Sequence, residues 1–180
     1  MSINIITKNP GKIKAAKNVF EKYNIEIEFI EKEYPEIQNS SSMEIARFTA
    51  IQAAKDFNKP AIREDHSLFI NAFNFPGPYI SYIEKQLSAK KLLELLKNQK
   101  DRTGYFEIAT VYAEPNGKNI EYTFQVPMTF GSEIKTAGKG WDGLIRLFNE
   151  ARTITEYPEE ERLHIWNQGY EAIAKKLIKN

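Results

Sequence analysis

Ile3-Asn4-Ile5-Ile6-Thr7-Lys8-Asn9-Pro10-Gly11-Lys12 is the stretch that decides the fold. Ile3 to Ile6 is a short β-branched run and predicts a buried strand. A polar turn through Gly11 follows. Ile13, Ala16, Phe20 and Tyr23 then recur at spacings of three and four, which predicts a helix with one apolar stripe. Strand, turn and helix in that order open an α/β fold. Residues 25–30 alternate as a second strand. Ser41 to Glu44 has the S-x-x-E form of a capping box and starts a helix through about Phe57, whose Ala46, Ala50 and Ala53 allow close packing on a sheet.

Further along, residues 60–70 read as a strand that closes on Glu64-Asp65, and Phe75-Pro76-Gly77-Pro78 as a rigid turn. Helices are predicted over residues 79–85 and 88–96. Residues 106–114 and 120–125 read as neighbouring strands joined by Pro115-Asn116-Gly117, with a third strand over residues 129–134. A last helix over residues 159–178 carries Leu163, Trp166, Tyr170, Ile173 and Leu177 on one stripe. There is no internal repeat, low-complexity segment or linker. Residues 1–180 are therefore expected to form a single α/β domain with a mixed sheet.

The composition excludes several classes of function. Lys and Arg number 25 against 24 Asp and Glu, so the chain lacks the basic excess of a general nucleic-acid or anionic-membrane binder. With no cysteine and only His66 and His164, thiolate chemistry and a histidine-rich metal site are excluded. A metal would be oxygen-ligated, which favours magnesium or manganese. No apolar run approaches the roughly 20 residues of a membrane span, and the N-terminus reads as a strand rather than a signal peptide. A cytoplasmic location is expected.

Four places could carry chemistry. The turn Thr7-Lys8-Asn9-Pro10-Gly11-Lys12 offers free backbone N–H groups at a helix N-terminus, the ammonium of Lys12, and the side chains of Thr7 and Asn9. It reads either as a phosphate cradle or as an ordinary turn with a solvated lysine. Glu36 is either a metal ligand or a surface acid. Glu64 and Asp65 are either a pair compensated by a cation, with His66 as a local neighbour, or a solvated strand end. In Gly138-Lys139-Gly140-Trp141-Asp142-Gly143, Trp141 either stacks on a planar base beside Asp142 or anchors the turn in the core.

Taken in order, these residues resemble the Ham1/inosine triphosphate pyrophosphatase family. Its T-x-N-x-x-K signature is present as Thr7, Asn9 and Lys12, and its P-E-x-Q element as Pro35-Glu36-Ile37-Gln38, followed by Glu44-Ile45-Ala46. The acidic D-D-S-G-L segment is matched by Glu64-Asp65-His66-Ser67-Leu68, the P-G-x-Y turn by Pro76-Gly77-Pro78-Tyr79, and R-x-A-Y-F by Arg102-Thr103-Gly104-Tyr105-Phe106. The resemblance spans about residues 3 to 130.

It implies an elongated mixed sheet flanked by helices, with two lobes and a central nucleotide cleft, in a homodimer. It also implies magnesium-dependent hydrolysis of a nucleoside triphosphate to a monophosphate and pyrophosphate. Glu36 and Asp65 would bind the metal with Glu64 close by, and Asp65 would prepare the attacking water. Thr7, Lys8, Asn9 and Lys12 would hold phosphate oxygens, and His66, Trp141, Asp142 and Arg162 would line the substrate site.

The final third departs from the pattern. The R-G pair is absent, Lys139 stands at a phenylalanine position and Gly143 at a proline position. Trp166-Asn167-Gln168 aligns with S-H-R, and Arg162 matches a lysine. Charged hydrogen bonds are worth roughly 1.5–3 kcal/mol each, so these losses imply an altered or relaxed base preference. The alternative is a non-catalytic nucleotide-binding paralogue.

Overall fold

The computed structural model describes residues 2–35, 37–136 and 138–179. The chain is mixed α/β. Its strands are β1 (Ile3–Ile6), β2 (Ile27–Ile30), β3 (Ala61–Ile70), β4 (Phe75–Gly77), β5 (Thr103–Ala113), β6 (Asn119–Phe130) and β7 (Ile145–Leu147). Its helices are α1 (Pro10–Lys22), α2 (Ser42–Phe57), α3 (Ile80–Gln86), α4 (Ala89–Leu96), α5 (Glu159–Trp166) and α6 (Gln168–Leu177). The sheet order is β2-β1-β3-β5-β6-β7, with β4 paired to β3. β1 runs parallel to β2 and β3, while β4 is antiparallel to β3 and β7 to β6, so the sheet is mixed as expected.

Two compact units divide the chain. The first takes residues 1–65, 108–124 and 163–180, and the second residues 66–107 and 125–162. In the first, strand alternation sorts the core into two layers. Ile3, Ile5, Ile62 and Tyr112 pack with Ala16 and Phe20 of α1 and Tyr170 and Ile173 of α6. Ile6, Ala61, Ala109 and Val111 face the other way, onto Ala46, Ala50 and Ala53 of α2. The small side chains of α2 lie against the sheet, as their spacing predicts. Ser41 caps this helix by accepting the Glu44 N–H, and Asn58 ends it in the left-handed conformation.

The second unit has its own core, in which Leu68, Ile70, Leu92, Leu96, Met128, Trp141 and Leu147 are fully enclosed. Arg102 ties this unit together. Its guanidinium donates to the carbonyl of Leu96 at 2.7 Å, to that of Phe130 at 3.1 Å, and to that of Gly131.

Three expectations are corrected. The strand expected over residues 129–134 is the end of β6, and the further strand is β7, which pairs Met128 with Leu147 and Phe130 with Ile145. Pro127 lies within β6, and its carbonyl accepts the Phe148 N–H at 2.9 Å. The Pro76 segment forms β4 rather than only a turn. The last helix is interrupted at Asn167, whose buried amide donates to Asn18 Oδ1 at 2.7 Å, and Gly169 beside it weakens helix continuity. No helix among the described residues is long and apolar enough to cross a membrane.

Arg102→Ala should destabilise the protein by about 2–4 kcal/mol, because several carbonyls lose a charged donor. Denaturant unfolding checks this, and Arg102→Lys, with its single ammonium head, should recover only part of the loss.

Candidate active site

The opening turn is more fully bonded than the sequence suggests. Asn9 caps α1, its Oδ1 accepting from the Gly11 N–H at 2.9 Å and the Lys12 N–H at 3.4 Å. The Asn9 N–H is in turn donated to Thr7 Oγ1 at 3.1 Å, and Thr7 is buried. The N–H groups expected to be free are therefore occupied, because a side-chain cap supplies what the helix end lacks. What the turn presents to an anion is side-chain charge. Lys8 pairs with Glu33 at 2.8 Å in the open, while Lys12 turns inward to the sheet.

Lys12 Nζ donates to the backbone carbonyl of Glu64 at 2.7 Å and lies 3.9 Å from Glu64 Oε1. Glu64 is only 3% exposed. Its other oxygen, Oε2, accepts the hydroxyl of Thr110 at 3.4 Å. Tyr170 is enclosed nearby. Burial first, and the charge of Glu64 second, hold its phenol well above the ordinary value. Gly169 completes the enclosure, since a Cβ built there would collide with Thr110 Oγ1.

Glu64 and Asp65 do not close their strand, which continues to Ile70. Neighbouring residues on a strand point to opposite faces. Glu64 shares the face of Ile62, toward α1 and α6, and the half-buried Asp65 takes the face of Ala61, toward α2. The two carboxylates therefore leave β3 on opposite sides. Among the described residues, no three Asp, Glu or His side chains gather closely enough to hold a metal. Glu36, the expected ligand, lies outside the described residues. The donor chemistry at Asp65, a half-buried hard carboxylate, suits a magnesium or manganese ion that takes its other ligands elsewhere. His66 is half-buried on β3.

In the second unit, Trp141 is fully buried, and its indole N–H donates to the Leu87 carbonyl at 2.7 Å. It has no exposed face for a base to stack on, so here it anchors the turn. The Trp141 backbone N–H is donated to Glu84 Oε1 at 3.3 Å. Gly140 has φ +56°, and a Cβ there would sit 2.5 Å from the same oxygen. Glu84 of α3 therefore holds the Gly138–Gly143 turn. Its carboxyl is raised by burial, an effect eased by the Trp141 N–H, strengthened by the charge of Asp142 and eased again by Lys139. Asp142 is likewise raised by burial, while Lys139 and Arg162 pull it back.

Sequence reasoning missed Thr110, Gly169, Tyr170 and Glu84. A threonine inside the apolar run Ile108 to Ala113 was the one available sign of a buried polar partner. Glu84 gives no sign, since an acid on a short helix reads as solvated.

A family model described as the Ham1 family matches residues 3–175. The chain belongs to the Ham1 family. A dITP/XTP pyrophosphatase of Methanopyrus kandleri is 34% identical over 167 residues, covering 92% of this chain and 89% of that protein. One of Saccharolobus solfataricus is 34% identical over 165 residues, covering 90% and 85%. Among solved structures, a HAM1 protein from Coxiella burnetii matches with a TM-score of 0.86 at 23% identity over the whole of both chains. The Staphylococcus aureus Ham1 protein matches with 0.84 at 23% identity, covering 99% of each. At these identities the structural likeness speaks for the fold.

The raised carboxyls fix a pH dependence. A carboxyl with a raised folded pKa binds its proton more tightly in the folded state. It therefore favours folding below its unfolded value, about 4.3 for Glu, and loses that contribution as pH rises through the folded value. Glu84→Gln should match the parent in thermal stability near pH 4 and gain on it as pH rises toward 7. Melting curves followed by tryptophan fluorescence across that range check the sign.

Proposed function

We propose that this chain is a magnesium-dependent nucleoside triphosphate pyrophosphohydrolase acting on non-canonical purine nucleotides such as ITP and XTP, with an altered or relaxed base preference. Relatives named dITP/XTP pyrophosphatase, 34% identical over nearly the whole chain, support the reaction class. The observation that carries the reading is the position of Lys12. Its ammonium lies 2.7 Å from the carbonyl of Glu64, the peptide link that leads into Asp65. A cation is thus held at the β3 backbone one residue before the half-buried Asp65.

In this reading Lys12, Lys8, Asn9 and Thr7 orient the triphosphate. Asp65 accepts a proton from the water that attacks the α-phosphorus. The bond from that phosphorus to the bridging oxygen breaks, and pyrophosphate leaves. Glu36 and Asp65 would hold magnesium or manganese, which supplies charge neutralisation on the phosphate oxygens when bound. His66, Asp142 and Arg162 are the residues that the family resemblance assigns to the substrate. Trp141 acts there through the turn it anchors. A homodimer in the cytoplasm is part of the same proposal.

One observation favours a second reading, a nucleotide-binding paralogue without catalysis. Trp166-Asn167-Gln168 stands where the family carries S-H-R, and Asn167 is buried with its amide committed to Asn18. This element has no arginine or histidine to meet a base.

Pyrophosphate release with magnesium should be measured across inosine, xanthosine and the common triphosphates. Release from inosine or xanthosine triphosphate is expected. Binding with no release from any of them would establish the paralogue. Asp65→Asn should reduce turnover at least about a hundredfold, the scale of one lost general base. Its melting temperature should stay near the parent's, and a variant that still turned over normally would remove Asp65 from the chemistry.

A further inference from the structure

We infer that Glu84 is a positioning residue for Asp142 and so a determinant of base preference. The inference rests on the reading above in that Asp142 meets the substrate, and every residue it uses belongs to the second unit.

A turn of this composition does not fix itself. Three of the six residues 138–143 are glycine, and Gly143 stands at a proline position of the family. Glycine gives the backbone its widest freedom, whereas proline locks φ. Gly143 is committed all the same, since a Cβ there would collide with the Thr136 carbonyl oxygen. Proline carries such a Cβ, so the stiffness it would lend has to come from another element.

That element is α3. Glu84 Oε1 accepts the Trp141 backbone N–H at 3.3 Å. The whole carboxyl is seated against Gly140, where a Cβ would lie 2.5 Å from Oε1 and 2.8 Å from Oε2. Leu87, which ends α3, accepts the Trp141 indole N–H at 2.7 Å. Glu84 thus holds the main chain of Trp141, and Leu87 holds its ring.

The consequence falls on the next residue. The Asp142 N–H closes the turn onto the Lys139 carbonyl at 3.1 Å. The N–H groups on either side of the Trp141 Cα are therefore both bonded, and this sets the direction in which the Asp142 side chain leaves the turn. Asp142 is half-buried, within the field of Lys139 and Arg162. An ionised carboxylate accepts hydrogen bonds and donates none. Fixed in direction, it reads where a base carries its N–H groups. Inosine carries one on the ring nitrogen beside a carbonyl, where adenosine carries an amino group instead.

The test compares Glu84→Ala with Glu84→Gln. Gln keeps an acceptor for the Trp141 N–H, and Ala removes it. In Glu84→Ala the ratio of kcat/KM for inosine over adenosine triphosphate should fall about tenfold, the worth of one hydrogen bond to a charged group. In Glu84→Gln the ratio should stay near the parent's. An equal loss on both triphosphates, with the ratio unmoved, would make Glu84 purely structural and overturn the inference. A fall in Glu84→Gln as large as in Glu84→Ala would overturn it too, since the acceptor would then not be what counts.

A second measurement separates this inference from the proposed reaction. Lys139 is exposed, so trypsin reports on the turn by cutting after it. Well below the melting temperature, that cleavage should be several times faster in Glu84→Ala than in the parent, because a looser turn opens more often. Glu84→Gln should be cut near the parental rate, and equal rates in all three would overturn the inference. If no nucleotide released pyrophosphate, the proposed reaction would fail and this inference would still be decided. The rise in melting temperature given by inosine triphosphate should then exceed that given by adenosine triphosphate, and the excess should shrink in Glu84→Ala alone. No difference among the variants would overturn the positioning role. Should Glu84→Ala fail to fold, Glu84→Asp, one methylene shorter, withdraws the carboxyl from the Trp141 N–H. It should show smaller changes of the same sign in the ratio and in cleavage, and no change in either would overturn the inference.

Discussion

A single buried charge organises the first unit. Glu64 sits on β3 among apolar side chains, and α1, β5 and α6 each bring something to its enclosure. The elements that meet there come from distant parts of the chain. The pairing of Lys12 with Glu64 ties the strand–turn–helix opening to the middle of the sheet. Thr110 and Gly169 then fix how closely β5 and α6 approach. Asn9 completes the arrangement from the other side by capping α1 and thereby setting where Lys12 leaves the helix.

The second unit uses its charges differently. Glu84 reaches from α3 to the backbone of the Gly138–Gly143 turn, and Trp141 pins that turn through the Leu87 carbonyl. Glu84 holds the loop by its main chain and Trp141 by its buried indole, which leaves Lys139 exposed and Asp142 within the field of Arg162. A loop secured in this way can change its outward residues without losing its place. That is the physical setting in which a phenylalanine position can become Lys139.

Local signals in the sequence were read correctly where one element decides its own form. Ile3–Ile6 as a strand, the Ser41 cap of α2, the alanine face of that helix and the Pro115-Asn116-Gly117 turn between β5 and β6 are all of this kind. What escaped depends on partners far away in the chain. Thr110 meets Glu64 across 46 residues, and Trp141 meets Leu87 across 54. No spacing pattern encodes such a meeting. The opposite orientation of Glu64 and Asp65 was legible in principle, because a strand alternates. It was hidden by reading the pair as a strand terminus, when β3 runs on for five residues past Asp65.

The Lys12–Glu64 pair also bears on whether the first unit has a task beyond stability. Replacing a buried ion pair by well-packed apolar side chains is often neutral or stabilising, so such a pair is weak evidence of a need for stability. The surrounding layer is already apolar and would accept a hydrophobic residue at position 64. Here the cationic partner, in the first turn of α1, is itself largely enclosed, its side chain 17% exposed. An enclosed pair at this point makes physical sense as a device that fixes where α1 meets β3, a matter of specific docking more than of net stability.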